Sequence, residues 1–358
     1  MARIELELAH SYTSKPKGDD DYALLPLHLT FEDGGAYALL GPSGCGKTTM
    51  LNIISGLITP SQGTVKFDGV DKTPATPQQR NIAQVFQFPV VYDTMTVGEN
   101  LAFPLRNRKL APAVIKQRVG QIAEILELSQ HLDERAAGLS ADAKQKISLG
   151  RGLVREDVTA VLFDEPLTVI DPQLKWQLRR KLKQIHRELK LTLIYVTHDQ
   201  IEALTFAEQI MVMSRGRVLQ TGTPEALFER PAHTFVGHFI GSPGMNLIPI
   251  EVTEHGPRVN GEAIAVPSGM VLPQGTLKLG IRPEYTRLAK PHDPGALQVL
   301  VEKVQDIGTY QLLTGRVGEH SVKARLPIDQ MLPAPGTTAG LLVLRPHTCF
   351  YRDEVLVP

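Results

Sequence analysis

The chain has 358 residues, 42% of them hydrophobic, enough for a large core and two or more domains. Thirty-eight basic residues balance thirty-eight acidic ones, so no global field favours nucleic acid or anionic lipid, and any anion site must be local. Two distant cysteines, Cys45 and Cys349, argue against a disulfide framework; there is no basic and apolar leader, and no run approaches the roughly 20 apolar residues that span a bilayer.

Up to about residue 235, short β-rich runs alternate with amphipathic helical patterns, which is α/β organisation. Ile4, Leu6 and Leu8 alternate along an early strand whose parity Tyr12 shares. SKPKGDDD, residues 14–21, reads as a solvated hairpin loop. The run AYALL then leads into Gly41, Pro42, Ser43, Gly44, Cys45, Gly46, Lys47, Thr48 and Thr49, with the spacing G-x-x-x-x-G-K-T. Glycines at these places let backbone N–H groups wrap phosphates, and the helix start that follows favours anions. Lys47 would reach the β and γ phosphates, and Thr48 would ligate Mg²⁺.

Gln87 follows in QVFQF. Ile115, Val119, Ile122 and Leu126 mark one helix face. In GLSADAKQKISLGRGL, Ser140 can cap a helix and Asp142 suits its first turn. AVLFDE is an apolar strand ending in Asp164 and Glu165, where α/β sheets place their ligands. Asp164 would hold Mg²⁺, through water, and Glu165 would polarise the attacking water as general base. Asp171 and Pro172 start a helix marked by Leu174, Leu178, Leu182, Ile185 and Leu189. TLIYVT ends at His198, before a helix with an Asp199 to Glu202 capping pattern. From about residue 240, Pro and Gly recur and short runs such as LQVLVEKV, SVKARL and LLVLR alternate with turns, the texture of a small β-barrel or sandwich.

GPSGCGKTT, VFQ, the LS of LSADAKQ, LFDEP and VTHDQIEAL, in this order, resemble the nucleotide-binding subunit of an ABC transporter. LFDEPLTVID, TGTPEALFERPAHTFVGHFIGSPGMNLI and LGIRPEYTRL narrow the resemblance to carbohydrate and polyol importers of the maltose-ATPase type, a glycerol uptake subunit among them. It spans nearly the whole chain. It implies an ABC nucleotide-binding domain over 1–235, with a helical subdomain at about 88–155, and an all-β OB-like (TOBE-type) domain over 236–358. It implies ATP and Mg²⁺ as cofactors and a peripheral place on the cytoplasmic face of the inner (plasma) membrane. The implied partners are a second ATPase subunit, two transmembrane permease subunits and, indirectly, a solute-binding protein, with no nucleic acid. By the same resemblance Gln87 senses Mg²⁺ and couples to the membrane subunits, and His198 contacts the γ-phosphate. Asp171 occupies a loop that crosses to the opposite protomer, and Tyr12 stacks on adenine, with Tyr22 as the alternative if the DDDY insert shifts the alignment.

The departure lies in the signature. The family's LSGGQ reads the γ-phosphate bound by the other subunit of a head-to-tail dimer; here Leu139 and Ser140 match, while Ala141, Asp142 and Ala143 do not. A carboxylate about 6 Å from that phosphate, at an effective dielectric of about 20, would cost on the order of 3 kcal/mol per unit charge. TVID also replaces the usual SALD or SNLD. Lys47, Asp164, Glu165 and His198 are intact, so a heterodimer with a partner of intact signature is favoured over a homodimer with two poor composite sites. A soluble ABC ATPase acting on nucleic acid would predict a basic stripe, and a catalytically dead subunit would not need Glu165 and His198.

Overall fold

The runs AYALL, VLFD and LIYVT become strands Ala36–Leu40, Val161–Asp164 and Leu193–Thr197, with every residue buried. Unbroken burial is what parallel strands covered on both faces require. The computed structural model describes residues 2–358, Leu189 by its backbone alone. The chain divides into a unit ending at Pro224 and a unit spanning Glu225–Pro358.

In the first unit a six-stranded sheet runs in the order Arg217–Gly222, Gln209–Ser214, Ala36–Leu40, Leu193–Thr197, Val161–Asp164, Ala83–Val85. Neighbours are parallel except at the edge strand Arg217–Gly222. The register sets Leu40 beside Thr197 and Asp164 beside Val196, so three segments leave the sheet at one level. A four-stranded antiparallel sheet, ordered Leu24–Phe31, Ile4–His10, Gln62–Phe67, Val70–Asp71, packs Ile4, Leu6 and Leu8 into the same core as Leu39, Met50 and Ile53. Residues 14–21 join the first two of these strands as an exposed hairpin connection with a short 3₁₀ turn at Asp19–Asp21.

Helices Val97–Asn107, Pro112–Ile125 and Ala141–Leu153 lie within the stretch read as helical. Gly150 lets the third cross the other two: a Cβ there would stand 2.5 Å from a Leu101 methyl and 3.2 Å from one of Ile122. Helix Pro172–Leu189 begins as expected, with Asp171 as N-cap accepting from the Gln173 N–H at 2.9 Å and Pro172 in its first turn. Leu178, Leu182 and Ile185 are buried beneath it.

Arg80 is almost fully buried, 1% exposed. It donates to the carbonyls of Ile53 and Ile54, at the C-terminal end of helix Lys47–Ser55, and to those of Thr73 and Ala75. A planar guanidinium with five donors suits four carbonyls in a way an ammonium does not, and a cation complements the helix C-terminus. Truncating Arg80 would strand these acceptors, each worth on the order of 1–3 kcal/mol when buried unpaired.

The second unit is all-antiparallel β with two short helices, Pro224–Glu229 at its start and Thr234–Phe239. A six-stranded and a five-stranded sheet enclose Ile248, Ile250, Leu279, Val299, Val322 and Leu341. Arg282 repeats the device of Arg80. It is 1% exposed, lies 3.9 Å from the centre of the Phe228 ring, and donates to carbonyls of Leu227, Phe228, Gly237 and Ile240. This ties both short helices to the β strands. Among the described residues no helix is long and apolar enough to cross a membrane.

Candidate functional site

The site grows from the three strand ends. After Leu40 the chain turns through Gly41–Gly46 into helix Lys47–Ser55. Gly46 has φ +104°, a backbone closed to side chains, and a Cβ there would lie 2.5 Å from the Ala23 carbonyl oxygen. Lys47 is buried, and its ammonium donates to the carbonyls of Gly41 at 2.8 Å and Pro42 at 2.9 Å, spanning the start of its own loop.

Thr48 donates from Oγ1 to Asp164 Oδ1 at 3.1 Å, joining the two side chains expected to hold Mg²⁺. Burial pushes the Asp164 carboxyl above the usual carboxylate range, opposed by the Thr48 hydrogen bond. A hydroxyl and a carboxylate are hard oxygen donors of the kind Mg²⁺ takes when phosphates and waters complete its shell. Among the described residues no cluster of three or more His, Cys, Asp or Glu could hold a metal by itself.

Glu165 follows with φ +47°, strained for a residue with a side chain, while its N–H donates to the Val196 carbonyl at 3.0 Å. The twist brings Glu165 Oε2 within 3.1 Å of His198 Nδ1. Behind His198, the Thr197 Oγ1 accepts from the Asp199 N–H at 3.0 Å. Asp199 caps the next helix by accepting from the N–H groups of Ile201 and Glu202, as expected. Glu202 does not complete the capping pattern. Its carboxylate is 3% exposed and accepts instead from the hydroxyls of Tyr195 and Thr197. Two buried hydroxyls need an acceptor, and the Asp199 N–H that the pattern would pair with Glu202 is already held by Thr197 Oγ1.

Tyr12 is 68% exposed, its ring edge-on to His10 at 4.7 Å and its hydroxyl hydrogen-bonded to Thr49 Oγ1 at 3.1 Å. An exposed aromatic face thus stands beside the start of the phosphate-loop helix. Tyr22 follows the 3₁₀ turn and is half-buried. Gln87 is half-buried, two residues beyond Val85, which pairs with Phe163 next to the Asp164 strand end. Ser140 and Asp171 stay outside the cluster. Both are exposed and cap their own helices, Ser140 by accepting from the Ala143 N–H at 3.2 Å.

Asp142 is not a bare anion. Its Oδ2 lies 3.8 Å from Lys146 Nζ one turn along, while its Oδ1 is buried without a donor. Gln145, absent from the sequence reading, is fully buried and donates from Nε2 to the carbonyls of Pro166 at 2.7 Å and Phe86 at 3.3 Å. It ties helix Ala141–Leu153 to the residues flanking Glu165 and Gln87.

Residues 24–168 match the ABC transporter family model, and residues 241–286 match that of the MalK OB fold domain. The sn-glycerol-3-phosphate import ATP-binding protein of Rhizobium johnstonii is 43% identical over 297 residues, 83% of each chain. Its counterpart in Salmonella typhi is 39% identical over 350 residues, 95% of each. Among solved structures, an ATP-binding cassette dimer in a post-hydrolysis state with ADP and Pi aligns at TM-score 0.55 and 25% identity, covering 62% of this chain and 98% of its own. The Clostridium perfringens protein cbiO1, part of the ABC transporter complex cbiONQ, aligns at TM-score 0.57 and 26% identity, covering 64% and 90%. With its phosphate loop, its strand-end carboxylates and its OB-type second unit, the chain belongs to the ATP-binding subunits of the ABC transporter family.

Proposed function

We propose that this ABC ATPase drives import of a polyol or its phosphate, glycerol or sn-glycerol 3-phosphate, from the cytoplasmic face of the membrane. The observation that carries the reading is the contact of Glu165 with His198 at 3.1 Å, on strand ends adjoining the Thr48–Asp164 pair. The names of the relatives support the substrate class. The phosphate loop and Lys47 bind the β and γ phosphates. Thr48 and Asp164 hold Mg²⁺, which when bound offsets phosphate charge. Glu165 takes a proton from the attacking water, and His198 orients Glu165 and meets the γ-phosphate. Tyr12 stacks on adenine, a role favoured over Tyr22 by the Tyr12 hydrogen bond to Thr49.

Residues 88–155 act as the helical subdomain, and residues Phe86, Phe88, Val90 and Tyr92, all with exposed apolar surface around Gln87, are the kind of strip a permease segment covers. Ser140 and Asp171 are lent to the site of a second ATPase. Asp142 weakens that site in trans, by less than a bare charge would because Lys146 faces it. A heterodimer with a subunit of intact signature then has one strong and one weak site. Isolation of the complex in mild detergent tests the assembly: a second ATPase and two membrane subunits are expected, and recovery with nucleic acid alone contradicts it.

Glu165→Gln abolishes steady-state ATP hydrolysis while ATP binding persists, since the phosphate loop is untouched; wild-type turnover refutes the general-base role. Tyr12→Ala weakens ATP binding by about 1–3 kcal/mol and Tyr22→Ala leaves it unchanged, the reverse pattern moving the stacking role to Tyr22. Lys47→Ala stops transport, whereas the matching change in the partner, at the site facing Asp142, is milder. Restoring LSGGQ by Ala141→Gly, Asp142→Gly and Ala143→Gln raises nucleotide occupancy or hydrolysis at that weak site. Equal losses from both lysine changes, with no gain from the restored signature, would show that the two sites are equivalent.

A further inference from the structure

The turn that holds His198 and the helix that starts at Asp171 meet at one buried carboxylate. Glu202 accepts at Oε2 from the Tyr195 hydroxyl at 3.1 Å and from the Thr197 hydroxyl at 2.8 Å. Its Oε1 lies 3.8 Å from Lys175 Nζ, and the two side chains are 4% and 24% exposed. Lys175 stands in the first turn of helix Pro172–Leu189, and its backbone N–H donates to the carbonyl of Asp171 at 2.9 Å. Thr197, held by Glu202, also accepts from the Asp199 N–H, so the single residue between them, His198, is bracketed.

A carboxylate taken out of water is costly, and an apolar residue would fill the same space without that cost. Oε2 of Glu202 satisfies two hydroxyls from one strand, and the carboxylate draws in an ammonium from a different element. We propose that Glu202 and Lys175 are positioning residues that lock the His198 turn to the helix beginning at Asp171, so that a shift of the crossing loop against the partner protomer moves His198 relative to the γ-phosphate. The inference rests on the crossing role of Asp171 and the phosphate contact of His198 set out above. Glu202 is buried among protein groups, and Lys175 faces it rather than the phosphate loop. Their effect falls on the rate of the chemical step, where a displacement of about 1 Å is enough to matter.

The test uses the assembled transporter and measures kcat and KM for ATP, with the unfolding midpoint of each variant as a control. Lys175→Met leaves the Tyr195 and Thr197 hydrogen bonds in place and removes only the link between elements. It lowers kcat about tenfold with KM and midpoint near wild type, and Lys175→Arg restores the rate. Glu202→Gln lowers kcat in the same way. Wild-type kcat in Lys175→Met, or losses that follow a fall in the midpoint, overturn the proposal. His198→Ala in the same assay separates the two levels: retained turnover there removes the role of His198 itself, whereas its loss beside an unaffected Lys175→Met removes only the coupling.

Discussion

Backbone hydrogen bonding between three neighbouring parallel strands is the constraint on which the site depends. With Leu40 beside Thr197 and Val196 beside Asp164, the phosphate loop, Glu165 and His198 must emerge within one residue of the same level. A slip of one residue in any strand would turn Asp164 to the other face of the sheet or draw His198 away. The loop leading to Lys47, and Asp164, Glu165 and His198, are therefore placed by the apolar strands that lead into them. Local adjustments finish the geometry: the left-handed backbone at Gly46 turns the loop into the helix, and that at Glu165 turns the carboxylate toward His198.

Around this frame, single buried polar groups fasten elements together. Arg80 and Arg282 gather carbonyls at helix ends in the two units, Gln145 bridges to Pro166 and Phe86, and Glu202 gathers hydroxyls. Each such group is expensive to bury unpaired and so tolerates few arrangements. Gln145 and Glu202 thereby fix helix Ala141–Leu153 and the start of helix Pro172–Leu189 to the residues flanking Glu165 and His198, while Ser140 and Asp171 stay exposed. Asp142 is met on one side only: its Oδ2 faces Lys146 of its own helix, while its Oδ1 is buried without a donor.

The apolar strands, the phosphate loop, the helix starting at Pro172 and the β character of the second unit were legible because each leaves a local pattern. Periodicity, glycine spacing and a capping residue are all short-range signals. Gln145 was invisible for the opposite reason: it sits between Lys144 and Lys146, and only packing separates a fully buried amide from two lysines. Arg80 looks like a loop residue until the carbonyls of Ile53 and Ile54, distant in sequence, are seen around it. Glu202 was read as half of a capping pair because the spacing fits; its true partners, Tyr195 and Thr197, lie on the preceding strand. Arg282, far along the chain, holds the carbonyls of residues 227–240, which no local reading of that stretch contains.

The central claim is that adjacent strand ends make Glu165 and His198 act as one unit on one phosphate. A double-mutant cycle of Glu165→Gln and His198→Ala on the slow single-turnover cleavage of bound ATP by the assembled complex, which reads residual rates too low for steady-state detection, measures this directly. Side chains 3.1 Å apart that share a task lose their effects non-additively, so the double variant is predicted to turn over no more than about threefold slower than the slower single variant. Losses that multiply across the two changes would contradict the account.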